Sequence, residues 1–241
     1  MSPAAMPMMT LRKPWSMPPR GLALFEGDRE APRLSHYFLP GLIRKGQRIL
    51  FLDGANSASP HLMARLGRQS CIPFGQFNRS IQIARAFTCF QLTELIARVP
   101  QFLADFPAQV LMVTAFPELY LDQDVRDWDS RVAFEHALRD LRKWSALGEP
   151  PLAVAIFSSS AGFTPGNSRR NFIGRTRMAA TEVWRFDHNE QGKLTLSLQP
   201  PFRERHGVSM HTMEDGRAPQ RMTQDSSPGQ NTLTRTQTVG H

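Results

Sequence analysis

The chain has 241 residues, 41% of them hydrophobic, and a formal net charge of +8 carried mostly by arginine. That is enough apolar material for one core, and no apolar run approaches the ~20 residues a membrane helix needs. Two cysteines, Cys71 and Cys89, are too few for a disulfide framework and are expected as buried thiols; the seven histidines are scattered, with no second ligand type at metal spacing. Positive charge alone weighs little toward nucleic acid, because an arginine-heavy composition also follows from genome base content.

Residues 1–19 are rich in proline and methionine without periodicity and are expected to be disordered. The prolines interrupt the apolar core a signal peptide would need, so a cytoplasmic chain is expected. A domain spanning 20–199 follows. Leu22–Phe25 reads as a short apolar strand closed by Glu26-Gly27-Asp28. A helix is expected over Ala31–Arg44, with Leu34, Phe38 and Leu42 on one face, Pro40 kinking it and Arg44-Lys45-Gly46 stopping it.

Ile49–Leu52 forms a second strand ending at Asp53-Gly54, and Ser59-Pro60 reads as an N-cap opening a helix to about Arg68. A third strand, Ile81–Ala84, precedes a helical stripe of Phe90, Leu92, Leu95 and Ile96. Gln109–Val113 has the short apolar run of a fully buried parallel strand. The acids Asp122, Asp124, Asp127 and Asp129 suit the start of a helix over Ser130–Ser145, where carboxylates meet the positive end of the dipole. Leu152–Phe157 is a fifth strand, and Glu182–Phe186 pairs with Lys193–Leu198 as a hairpin. From 200 to 241 the chain is polar and aperiodic, expected as a disordered tail. Five apolar strands alternating with helices define an α/β doubly wound architecture: a mostly parallel sheet of about five strands, extended on one edge by an antiparallel C-terminal hairpin.

Three segments carry a resemblance to the RecA-like recombinases of the P-loop NTPase superfamily. FLDGANSASP, Phe51–Pro60, resembles the family's strand ending in an Asp, followed two residues on by a catalytic Glu and then a helix. Asp53 matches the first acid, and Ala55 stands in the place of the Glu. Gly27 is similar to the first glycine of the phosphate loop, and Pro32, Arg33 and Leu34 fall where Gly, Lys and a hydroxyl residue belong, with Ser35 one position on. The stretch from Ala153 to Phe186 looks like the fifth strand, DNA-binding loop, short helix and returning strand, with Ser158 and Ser159 where a nucleotide-sensing Gln often sits. Thr114 follows the fourth strand where a magnesium-holding Asp is expected.

The resemblance implies a RecA-like three-layer sandwich and ATP with magnesium as its cofactors. The losses leave Gly27, Arg33, Ser35 and Asp53 as a vestigial nucleotide site. The loop Ser158–Arg177 offers Arg169, Arg170, Arg175 and Arg177 for phosphates, and Phe172 beside Phe163 as stacking faces for single-stranded DNA. On the residues alone, Asp53 and Asn56 also read as turn-formers, and Trp128, Trp144 and Trp184 as packing residues. The expectation is a non-catalytic accessory protein of DNA repair or recombination that binds single-stranded DNA or docks on an active RecA-type partner. The alternatives are a slow ATPase using Arg33, Ser35 and a loop acid, and a pure protein-interaction regulator on the same fold.

Overall fold

The structure, a computed structural model, describes residues 21–146, 152–159, 171–188 and 194–200. Seven strands form one sheet: β1 (Gly21–Gly27), β2 (Ile49–Asp53), β3 (Ile81–Arg85), β4 (Val110–Thr114), β5 (Ala153–Ser159), β6 (Glu182–His188) and β7 (Leu194–Leu198). Their order is β3-β2-β4-β5-β1-β6-β7, parallel throughout except for the antiparallel β6–β7 pair at one edge. All five residues of β2 and of β4 are buried, which is why ILFLD and VLMVT read as unbroken apolar runs rather than alternating ones.

Two apolar layers clad the sheet. On one face lie α1 (Ala31–Leu34), α2 (Leu39–Arg44), α3 (Pro60–Gln69) and α4 (Phe74–Arg79). There Phe25 stacks on Phe157 at 4.7 Å between ring centres, with Leu39, Ile43, Met63 and Phe77 packed around the same core. On the other face lie α5 (Cys89–Ala97), α6 (Val99–Asp105), α7 (Asp127–Ala146) and α8 (Asn171–Ala179). The long α7 presents Ala133, Phe134, Ala137, Leu138 and Leu141, spaced at one to two helical turns, to Leu24, Leu111 and Val154 of the strands.

The α/β architecture and the terminal hairpin agree with the sequence. The helix expected over Ala31–Arg44 is three pieces, α1, a 3-10 turn over Ser35–Phe38, and α2 beginning at Leu39 with Pro40 in its first turn, where its missing N–H costs nothing. Ser59 caps α3 as expected, its Oγ accepting from Leu62 N–H at 3.3 Å.

Three expectations are corrected. Trp128, read as a packing residue, is 73% exposed in the first turn of α7. Phe90 is half exposed, and the buried face of α5 is Cys89, Leu92 and Ile96. Cys71 is exposed, because it follows the end of α3 in a left-handed conformation (φ +54°) that turns it out of the helix line. A short helix, α4, occupies a stretch with no apolar period to signal it. No helix among the described residues is long and apolar enough to cross a membrane.

Candidate functional site at the crest of the sheet

Parallel pairing lines up the C-terminal ends of the strands into one crest. The register sets Asp53 beside Arg85 and Thr114, Thr114 beside Phe157, and Glu26 and Gly27 beside Ser158 and Ser159. Positions far apart in sequence therefore meet here, as ligand-binding residues do in sheets of this type.

At the β2 end, Asp53 is fully buried and its carboxylate is spoken for. One oxygen accepts from Ser57 N–H (2.9 Å), Ser57 Oγ (3.1 Å) and Thr114 Oγ1 (3.0 Å); the other accepts from Ala58 N–H (2.8 Å), with Arg85 Nε at 3.7 Å. A carboxylate needs several such donors to be held away from water. Thr114 closes the circuit by accepting from Ala55 N–H at 3.2 Å. The backbone is drawn tight to achieve this: a Cβ on Gly54 would stand 2.6 Å from the Thr114 carbonyl, and Asn56 and Ala115 both adopt left-handed conformations (φ +49° and +57°). Asp53 is thus the organiser of the turn that follows it, and Asn56 closes that turn.

His36 ties this turn to the first helical segment. It is fully buried, its Nδ1–H reaches the Arg33 carbonyl at 2.8 Å, and its Nε2 accepts from Ser59 N–H at 3.4 Å. Those partners define one tautomer of the neutral ring. Burial is the main cause that lowers its pKa below the ordinary histidine value.

The connection from β1 to α1 is only Asp28-Arg29-Glu30. Its donors are turned inward: Glu30 N–H donates to Asp28 Oδ1 at 2.9 Å, and Ala31 N–H to the Asp28 carbonyl at 3.1 Å. An acidic side chain thus takes the loop N–H that a phosphate would need. Gly27 sits where a Cβ would stand 3.1 Å from those of Ala31 and Phe186, so it serves close packing. Pro32 and Arg33 are already helical, and Arg33 pairs with Glu30 at 3.2 Å. Ser35 is fully buried and its Oγ donates to the Pro32 carbonyl at 2.6 Å. Of the four vestigial nucleotide positions, only Arg33 lines the cleft of about 560 Å³ that opens over the crest, together with Arg29, Ser57, Ser59 and Arg85. Magnesium and ATP do not fit this donor set: the buried Asp53 carboxylate already accepts four hydrogen bonds, Thr114 brings a hydroxyl donor in place of an acid, and the Glu30 and Ala31 N–H groups of the loop are occupied.

No protein-family model matches this chain, and no curated protein matches it.

At the β1 end lies a second cluster. Glu26 is buried, and Arg177 of α8 clasps it with Nε at 2.8 Å and Nη2 at 2.7 Å. Arg175 pairs with Glu135 of α7, and the Phe172 ring stacks on Phe134 at 4.2 Å, only 4% exposed. Three of the five residues expected to contact DNA therefore fasten α8 to the domain, and a ring packed this way presents no face to a base. The other two, Arg169 and Arg170, lie outside the described residues, as does Phe163.

Glu118, in the 3-10 turn Glu118–Leu121, accepts from Ser159 N–H through Oε1, while Oε2 has neither a partner nor solvent. Burial is the largest cause pushing its carboxyl up to about 7, with the nearby Glu26 adding to it. Sequence reasoning missed Glu26, His36, Arg85 and Glu118. Only Glu26 left a signal, a lone charge at the tip of the apolar run LALF.

A pH prediction follows for Glu118. The unfolded chain sheds this proton near 4.5 and the folded chain holds it until about 7. Between those values the folded state binds more protons, so stability falls as pH rises, by up to about 1.4 kcal/mol per unit, and levels off above. Glu118→Gln keeps an acceptor for Ser159 N–H but does not titrate. The difference between wild-type and variant unfolding free energies, measured from pH 4 to 8 (about the span of the two pKa values), should slope across this window; parallel profiles would contradict the assignment.

Proposed function

We propose that the chain is a catalytically silent RecA-like protein of DNA repair or recombination that acts by docking on an active RecA-type partner. The observation that carries this reading is the Thr114–Asp53 hydrogen bond at the crest. Asp53 keeps the acid at the end of the second strand, while at the end of the fourth strand, where the resemblance expects a magnesium-holding Asp, the neutral donor Thr114 stands. Two carboxylates this close need a cation or a shared proton; a carboxylate and a hydroxyl need neither. The frame keeps its shape without the metal.

Docking is favoured over binding of single-stranded DNA because Arg175 and Arg177 are paired with Glu135 and Glu26, leaving the DNA reading to Arg169 and Arg170. Non-specific phosphate binding depends on cations that can shed counterions. Two assays test the proposal. In gel filtration the purified chain should co-migrate with a RecA-type recombinase. A low-salt gel shift with single-stranded DNA should show at most weak retention, lost in Arg169→Ala/Arg170→Ala. Failure to associate, together with tight salt-sensitive DNA binding, would reverse the order of the two readings.

A further inference from the structure

β3 ends the sheet and pairs with β2 on one side only. In a parallel ladder, the N–H and C=O of one residue point to the same side and those of the next to the other. The Ser80 carbonyl accepts from Ile49 N–H, and Ala86 N–H donates to the Asp53 carbonyl. The even-numbered residues therefore face β2, and the backbone groups of Ile81, Ile83 and Arg85 face outward, with no partner among the described residues. Soluble proteins usually blunt such an edge with proline, a bulge or inward charge; IQIAR has none of the first two and one charge at its end.

Exposed apolar side chains lie on β3 and on the segments that flank it in the sequence. Ile83 on the strand is 40% exposed, Phe74 on the preceding helix 68%, and Phe87 and Phe90 just beyond β3 64% and 50%. The stretch that carries them is cationic, and the first acid beyond it is Glu94 on α5. From Gly54 to Thr93 the sequence contains Arg65, Arg68, Arg79 and Arg85 and no Asp or Glu. A cleft of about 710 Å³ opens at the start of β3, lined by Arg48, Arg79, Gln76, Asn78 and Gln82, where Arg48 stacks over the Phe106 ring at 3.9 Å.

We propose that β3 receives an extended acidic segment of a partner protein as an eighth strand. Its backbone pairs with Ile81, Ile83 and Arg85, its apolar side chains cover Ile83 and the neighbouring phenylalanines, and its carboxylates meet Arg48 and Arg79. Strand addition takes affinity from main-chain hydrogen bonds and specificity from alternate side chains, and this edge supplies both. A nucleic-acid backbone does not fit, because phosphodiesters have no donors for the outward carbonyls. Nor does the N-terminus of a second copy, since residues 1–20 carry Arg12, Lys13 and Arg20 and no acid. The inference rests on the docking reading above and gives it a surface.

The test uses the full chain and a fluorescein-labelled alternating peptide, Asp-Val-Glu-Phe-Asp-Val-Glu, followed by fluorescence anisotropy. The acidic peptide should bind, and binding should weaken at least about tenfold when alternate peptide nitrogens are methylated, when lysine replaces its acids, or in Arg79→Glu. Ile83→Pro removes an outward N–H without touching the β2 ladder, so it should abolish binding in a folded protein; if that variant does not fold, the methylated peptide still decides. Equal binding of the methylated or lysine peptide, no binding of the acidic one, or a thymidine oligonucleotide preferred at this edge would overturn the proposal. Failure here in a chain that does not hydrolyse ATP would remove the edge and leave the silent-scaffold reading standing, whereas ATP hydrolysis would defeat that reading and leave the edge.

Discussion

Asp53→Ala should destabilise the folded chain by about 3–5 kcal/mol, as judged by denaturant unfolding, because it removes one buried acceptor from four donors. Ser57 N–H, Ser57 Oγ, Ala58 N–H and Thr114 Oγ1 all end on this carboxylate. An alanine leaves them facing a cavity too tight for full rehydration, since the Gly54 backbone lies against the Thr114 carbonyl. Asp53→Asn keeps one oxygen and should cost roughly half as much, its amide set against the Ala58 N–H. Thr114→Val removes a single donor and should cost about 1–2 kcal/mol. A residue held for catalysis would show the opposite pattern: an Asp53→Ala protein as stable as wild type or more so, because strain and uncompensated charge at a working site are relieved by mutation.

Arg177→Ala should cost about 2–4 kcal/mol, measured in the same way. The figure lies toward the low side of what breaking a buried pair costs because the guanidinium is partly exposed. Glu26 is the buried member, 3% exposed, and losing its clasp leaves a charge in the core between β5 and β6. Replacing both partners with apolar side chains, Glu26→Leu with Arg177→Met, should recover much of the loss, since the penalty belongs to the stranded carboxylate rather than to an absent attraction. If Arg177 instead served only to touch DNA, the alanine variant would unfold like the wild type and lose affinity alone.

Much of the fold was legible because its signals are local. VLMV announces a doubly covered parallel strand, Ser59-Pro60 announces a helix start, and the apolar runs on either side of HNEQG announce a hairpin. The site was legible only in part. Asp53, Thr114 and the serine pair lie on adjacent strands at one crest, but what those residues do there was set by contacts no period encodes. Arg177 meets Glu26 across 151 positions and Ser159 meets Glu118 across 41. An arginine's partner is invisible in a sequence, so a run of cations reads as free charge. Phe172 illustrates the same limit: beside arginines it resembles a stacking platform, whereas its spacing from Thr176, one helical turn on and likewise buried, marks the inner face of α8.

These residues give the crest a coherent physical meaning. Each acid that would hold a metal or a water is engaged by donors the chain itself provides, and the loop that would wrap a phosphate is folded around Asp28. Along the neighbouring edge strand β3, the outward backbone groups of Ile81, Ile83 and Arg85 have no partner among the described residues, and Ile83 is exposed. The proposed function takes the crest as a scaffold, and the proposed strand addition gives the recognition to the edge.

The most direct test of this account is equilibrium dialysis of labelled ATP with magnesium against the full chain, with phosphate release followed in the same samples. The closed crest requires no saturable binding at millimolar nucleotide and no release above the protein-free control. Saturable, magnesium-dependent binding that disappears in the mildly destabilised Asp53→Asn protein would contradict it.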